Sequence, residues 1–151
     1  MFKKFRNLMF VLFVIAFATG CAKNPTHLEL VIKTTEDLNK DVDGRSSPLM
    51  LTFYELESAE KFSKFDYWTL LEKSGDNLKD DLVSQSKHII LTEQKQNYKV
   101  SFADKTKYLG IVANFRVIDN DYVWKDVVEL KKGSYNYSEF EIRKFNIERV
   151  K

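Results

Sequence analysis

Residues 108–118 read Tyr108-Leu109-Gly110-Ile111-Val112-Ala113-Asn114-Phe115-Arg116-Val117-Ile118, and their parity decides the fold class. Leu109, Ile111, Ala113, Phe115 and Val117 share one face, opposite Asn114 and Arg116. A period of two belongs to a β-strand, whose successive side chains point to opposite faces of a sheet. Phe115 is therefore expected in the core with Trp124, and Arg116 on the opposite face. The same alternation appears upstream, where Leu28, Leu30 and Ile32 alternate with Glu29 and Lys33. It recurs where Leu49, Leu51 and Phe53 alternate with Thr52 and Tyr54, in a strand ending near Leu56. Stretches 88–92, 98–102, 122–130 and 138–150 are rich in β-branched and aromatic residues, and polar turn material separates them. In the last of them Phe140 and Ile142 lie on one parity and Phe145 and Ile147 on the other, so a bulge is expected there to restore a single inward face.

Between residues 58 and 83 the period changes. Phe62, Phe65, Trp68 and Leu71 fall at three-residue steps, and Leu78 and Leu82 at four. That spacing predicts short amphipathic helices, with Asp66 as an N-cap, Gly75 as a stop and the aromatic stripe as core packing. Seven strands with a helical insertion after the second predict a mainly β protein, a β-sandwich formed by one domain over residues 28–151.

The opening of the chain has a different purpose. Lys3, Lys4 and Arg6 form a basic start, residues 8–18 are an unbroken apolar run, and Ala18-Thr19-Gly20 places small residues ahead of Cys21. That order predicts an export signal over residues 1–20. The run is too short for comfortable spanning, since crossing about 30 Å of hydrocarbon takes roughly 20 apolar residues. Cys21 is the only cysteine, so it has no intramolecular disulfide partner. Ala18-Thr19-Gly20-Cys21 resembles the bacterial lipobox, with Ala18 where Leu is usual. The resemblance implies a diacylglycerol on the Cys21 thiol and an N-acyl group on its amine after cleavage. Ala22 follows, and by resemblance to sorting rules in enteric bacteria it favours the outer membrane. Residues 21–27 then form an acylated tether, whose six residues after the cysteine reach at most about 20 Å. The body is thus expected to sit close against the membrane.

Charge and chemistry exclude several classes. The chain has 24 basic and 22 acidic residues, and the signal holds three of the basic ones, so the mature chain has a net charge of −1. With no positive field, nucleic acid is not an expected partner. Imidazole comes only from His27 in the tether and His88 at a strand start, so no metal site or cofactor is expected. No G-x-S-x-G, no H-E-x-x-H and no phosphate-cradling glycine loop occurs. Pairs such as Asp80-Asp81 or Glu139 and Glu141 read as solvated surface, so enzymatic activity and a small-molecule substrate are not expected. Two other classes stay open at this stage, a periplasmic ligand-binding module and an envelope hydrolase using facing carboxylates.

Several stretches, taken in order, carry a more specific signal. They are Thr34-Thr35-Glu36-Asp37-Leu38-Asn39 with Asp41-Val42-Asp43-Gly44-Arg45-Ser46-Ser47-Pro48-Leu49, Leu51-Thr52-Phe53-Tyr54-Glu55-Leu56, Phe62 with Phe65-Asp66-Tyr67-Trp68-Thr69-Leu70, Leu78 with Asp81-Leu82-Val83, and Tyr108 to Arg116 with Trp124-Lys125. Together they resemble the TssJ family, the outer-membrane lipoproteins of the type VI secretion system. The family often has Pro-Gly where this chain has Thr92-Glu93-Gln94-Lys95, and the stretch after Gly133 matches it less well. The resemblance implies a transthyretin-like sandwich in the periplasm, anchored in the outer membrane. It also implies a partner, the periplasmic domain of the inner-membrane component TssM, held by tethering with no bond made or broken.

The first interstrand loop, residues 35–48, is the expected partner site. Connections of more than about 12 residues without regular structure are uncommon and usually functional or disordered. Leu38, Asn39, Asp41, Asp43, Gly44 and Arg45 are its candidate contact residues. The mixed charges do not drive an extended tail, and Gly44 and Pro48 restrict the shape. The family resemblance points to the same loop.

Overall fold

β1, residues Thr26–Thr34, is the spine of the molecule because it is paired on both sides. The computed structural model describes residues 24–151, so the signal segment and Cys21 lie outside the described residues. β2 spans Leu49–Leu56, α1 Glu60–Lys64 and α2 Tyr67–Leu78. A short 3₁₀ turn, Lys79–Asp81, leads into β3 (Leu82–Ile90). β4 (Lys95–Phe102), β5 (Tyr108–Asn114), β6 (Lys125–Glu129), β7 (Tyr135–Arg143) and β8 (Asn146–Arg149) follow. One sheet has the order β4-β1-β7-β8 and the other β3-β2-β5-β6. All pairs are antiparallel except β1 with β7, where Leu28 faces Asn136 and Ile32 faces Phe140.

The inward parity of each strand builds the core between the sheets. Leu28, Leu30, Ile32, Leu49, Leu51, Leu109, Ile111, Ala113, Phe140 and Ile142 are all buried in one cluster. Phe115 joins it while Arg116 is exposed, as the alternation predicts. Two neighbours depart from expectation. Val117 is exposed and Trp124 only partly buried, because β5 ends at Asn114 and Phe115 turns back, its N–H donating to the Ala113 carbonyl at 2.9 Å.

The outer face of the second sheet carries a smaller core of its own. Tyr54, Leu56 and Val112 pack there against Phe62, Tyr67, Leu70 and Leu78 from the helices. Asp66 does cap α2, its carboxylate accepting from the Thr69 N–H at 2.8 Å. The expected stripe is out of phase, however: Trp68 is 61% exposed and Leu71 38%. The chain breaks out of helix at Phe65, so three-residue spacing carried across the break loses its meaning, and α2 buries Tyr67, Leu70, Ser74 and Leu78. The helix breaks at Lys73 (φ −138°, ψ 41°), two residues before Gly75, then resumes to Leu78 and ends at Lys79, which adopts positive φ, so Gly75 is not its stop.

Gly110 lies directly beneath Phe62. A Cβ placed on it would stand 2.7 Å from the ring, so only glycine lets this ring seat on β5. Gly110→Val is therefore expected to displace the fully buried Phe62 and destabilise the domain by about 1–3 kcal/mol. A thermal melt reads this, and an unchanged midpoint would show that α1 floats over the sheet.

Three boundaries differ from the sequence reading. β1 begins at Thr26 instead of Leu28, because the Thr26 hydroxyl accepts from Gly133 N–H at 2.9 Å and His27 N–H donates to the Ser134 carbonyl at 3.0 Å. The stretch expected to be a tether, residues 21–27, therefore includes the first two residues of β1. β3 begins at Leu82, within the stretch assigned to the helical insertion; it is an edge strand with little buried surface, so no alternation marks it. Finally, residues 138–150 form no bulged strand. β7 and β8 are a hairpin whose two-residue turn, Lys144-Phe145, puts Lys144 at positive φ. The turn lets both parities point inward: Ile142 opposes Ile147, while Phe145 packs edge-on against Phe115 at 6.1 Å. Eight strands result.

Lys125 ties the helices to the second sheet. Its ammonium donates to the carbonyls of Phe62, Ser63 and Phe65 at 2.8, 2.9 and 2.6 Å, closing the last turn of α1. Burial pushes its pKa down, partly offset by Asp66. Trp124 meanwhile meets Tyr67 edge-on at 5.3 Å.

Candidate functional site

The loop that joins β1 to β2 is a folded shelf. Its inner half is made by Leu38, which is fully buried in the main core, and Asn39, which is 2% exposed. Asn39 sits at positive φ, a conformation its short polar side chain tolerates. Its backbone N–H donates to the Lys144 carbonyl at 2.8 Å, and its side-chain amide donates to the Pro48 carbonyl at 2.8 Å. Its amide oxygen accepts from Arg116 N–H at 2.9 Å. One side chain therefore ties the loop to the end of β5 and the start of β2, and its backbone to the β7–β8 turn.

The outer half is organised by Asp41. One carboxylate oxygen accepts from the backbone N–H groups of Asp43 and Arg45 at 2.9 and 2.8 Å; the other accepts from Arg45 Nε at 3.0 Å. Arg45 reaches Asp43 at 2.7 Å, and Gly44 closes the turn at φ 78°. The Arg45 backbone N–H, followed by its guanidinium, holds the Asp41 carboxyl below the usual range. The Thr35 hydroxyl does the same for Asp37. Both depressions make the shelf most stable above the ordinary carboxylate pKa, and the stabilisation is lost as pH falls through the lowered folded value.

Val42 stands at the tip, fully exposed. The sequence reading places Val42 in the family-like stretch Asp41–Leu49 but leaves it out of the candidate contact residues; its signal was an apolar side chain in a polar run. The six candidate residues thus divide. Leu38 and Asn39 face inward and hold the shelf, while Asp41, Asp43, Gly44 and Arg45 frame Val42. Asn39→Ala is expected to leave the Arg116 N–H and Pro48 carbonyl unsatisfied, a loss of about 1–3 kcal/mol. Hydrogen exchange across residues 36–47 checks it: faster exchange there is expected, and unchanged protection would contradict the staple.

Position completes the geometry. β1 starts at Thr26 and delivers the chain to the shelf at Thr35. A strand of that length spans roughly 25–30 Å, so the shelf lies at the end of the sandwich remote from Thr26.

Other clefts lie away from the shelf. One of about 400 Å³ runs along α2 beside Asp66, Trp68 and Glu72, and one of about 360 Å³ lies beside His27, Lys99 and Tyr135. The slot between the free edges of β3 and β4 has a volume of about 210 Å³ and is lined by Phe53, His88 and Tyr98 among others. His88 Nε2 lies 3.0 Å from Ser86 Oγ, and burial lowers its pKa. Glu55, the carboxylate of that slot, is bound by Ser84 and Thr106 at 2.7 and 3.0 Å. Glu139 and Glu141 are held by Lys33 and Arg143 in ion pairs of 2.5 and 2.7 Å. Among the described residues no three His, Asp or Glu side chains converge as a metal site requires.

Comparison with known proteins gives a consistent result. Residues 26–144 match the family described as type VI secretion lipoprotein, VasD, EvfM, TssJ. The T6SS lipoprotein TssJ1 from Pseudomonas aeruginosa superposes with a TM-score of 0.78 at 25% identity, covering 83% of this chain and 95% of that one. A chain of the solved type VI membrane complex gives 0.74 at 19% identity, covering 83% and 98%. A chain in the structure described as the T6SS protein TssM C-terminal domain from EAEC gives 0.69 at 19%, again covering 83% and 98%; these last two likenesses establish the fold. No curated protein sequence matches.

Proposed function

This chain belongs to the type VI secretion lipoprotein family, and on that premise we propose that it anchors in the outer membrane through acylated Cys21 and tethers the periplasmic domain of TssM. The family is one of structural lipoproteins, and the mechanism is mechanical. One end of the sandwich is bound to lipid and the other holds a protein, so load passes along β1.

The observation that carries this reading is the stiffness and placement of the shelf. A loop whose contact residues are held before the partner arrives loses little conformational freedom on binding. Here Asn39 and Asp41 supply that order, and Val42 offers an apolar tip within a charged rim. Apolar centres with polar surroundings are the usual anatomy of a protein interface. From Cys21 to Thr26 the chain has five residue steps, a reach of roughly 17 Å, so pull on the shelf is passed to the membrane with little slack.

Separating inner from outer membranes on a density gradient tests the location. The chain is expected with the outer-membrane fraction, and TssM is expected to co-isolate with it after cross-linking through a photoreactive residue at Val42. Recovery in the inner-membrane fraction would contradict the anchoring site, and cross-links to other proteins alone would contradict the partner.

A further inference from the structure

The end of the sandwich from which the tether leaves has its own chemistry. The Asn24 carbonyl lies against Gly133, 3.4 Å from where a Cβ on that residue would stand, and Gly133 N–H is bonded to Thr26. The chain that leads back to Cys21 therefore leaves beside Lys131 and Lys132. The neighbouring β4–β5 loop holds Lys105 and Lys107, and the two loops are joined by Leu130 N–H donating to the Lys107 carbonyl at 2.8 Å. All four lysines are exposed, and the carboxylates next to them in the chain are Asp104 in the β4–β5 loop and Glu129, the last residue of β6. Tyr135, 65% exposed, pairs with His27 beside them. The opposite end has the reverse sign: the shelf has Glu36, Asp37, Asp41 and Asp43 against Lys40 and Arg45.

We propose that Lys105, Lys107, Lys131 and Lys132 form a membrane-facing surface that binds the phosphates of anionic lipid headgroups around the anchor. This rests on the acylated Cys21 of the proposed function. Three arguments on the molecule select a lipid surface as occupant. The chain to Cys21 is too short to hold these loops far from the bilayer. Their net charge is positive on a mature chain whose net charge is negative, and clustered lysines next to a membrane attachment are drawn to anionic lipid. An exposed tyrosine beside them suits the headgroup layer, where one end of the side chain is apolar and the other wet. Acyl chains alone fix the distance of Cys21 from the bilayer and leave the sandwich free to swing. The lysine face sets its tilt, so that the acidic shelf points away from the membrane.

The test reconstitutes the mature lipoprotein, extracted in detergent, into vesicles of phosphatidylcholine alone or with about 30% phosphatidylglycerol. A dye on Ala103→Cys, in the exposed β4–β5 loop, reports contact with spin-labelled headgroups. Quenching is expected to be several-fold stronger on the anionic vesicles. Salt at about 0.5 M, which shortens the screening length, should remove the difference. So should the variant K105E/K107E/K131E/K132E, while the protein still floats with both vesicle types. Equal quenching on both, or a difference that survives in the variant, overturns the lysine face. Failure of the wild type to float with neutral vesicles would instead defeat the acyl anchor. In that case flotation with anionic vesicles, lost in the variant, still upholds the lysine face, and no flotation with either overturns it.

Discussion

A Cys21→Ser chain is expected to remain unlipidated and unprocessed at the lipobox, and secretion by a strain carrying it should fail completely. The loss is of location, not of fold. Everything that builds the sandwich begins at Thr26, from which β1 pairs with β4, and β7 joins on the other side from His27. The size of the effect follows from acyl-chain energetics: each buried methylene contributes about 0.8 kcal/mol, and a single chain holds only marginally, so stable attachment takes two or more. Without them only the lysine face would be left to resist a pull, and a lysine near an anionic surface contributes only about 1 kcal/mol. Metabolic labelling with a fatty-acid analogue reads the first step, and label retained by the mutant would place the acyl group elsewhere.

Phe115→Ala should be the most damaging single truncation of the core named here. Phe115 is 3% exposed and meets Phe145 edge-on at 6.1 Å, so its ring joins the end of β5 to the β7–β8 turn. Truncating a buried phenylalanine costs about 3–5 kcal/mol. A domain of this size has about 5–15 kcal/mol in all, so the midpoint of thermal unfolding should fall by roughly 10–20 °C. The shelf should suffer too, because Arg116, the next residue, donates its N–H to Asn39. An unchanged midpoint would mean that the turn closes over the gap and that the ring is dispensable.

These two predictions draw on parts of the sequence that are read with unequal ease. The parity of residues 109–115 needs no tertiary information, because both sides of β5 are flanked by strands and the inward face is uninterrupted. The edge strand β3 is harder. Ser84, Gln85, Ser86 and Lys87 are all exposed, so period two leaves no trace in their polarity. The β7–β8 turn has no Gly, Pro, Asn or Asp, and Lys144 is held at positive φ by its surroundings. Helix phase failed for a physical reason as well. Phe62 and Trp68 belong to different helices, and a periodicity is defined only within one.

The candidate site was readable in its position and its charge, and unreadable in its division of labour. A leucine in a polar loop can be an exposed contact or a plug, and only packing distinguishes them; Leu38 is a plug. Asn39 looks like any loop asparagine until the Arg116 N–H, the Pro48 carbonyl and the Lys144 carbonyl arrive from three distant segments. Val42 had no periodic partner to mark it. Its exposure follows from the Asp41–Arg45 clamp, which folds the chain so that the residue between them points outward.

That division makes a clean test of the tether available. Changing Val42 to Glu alters the exposed tip and leaves the Asp41–Arg45 clamp, Leu38 and Asn39 in place. Titration of purified wild-type and Val42→Glu chains with the periplasmic region of TssM, alongside their melting curves, is the most direct measurement. The wild type should bind. The variant should melt as the wild type does and bind at least about tenfold more weakly, the loss of roughly 1.4 kcal/mol or more that removing an interface anchor brings. Equal affinity in the two chains would take the shelf out of the interface, and no binding by the wild type would contradict the tether itself.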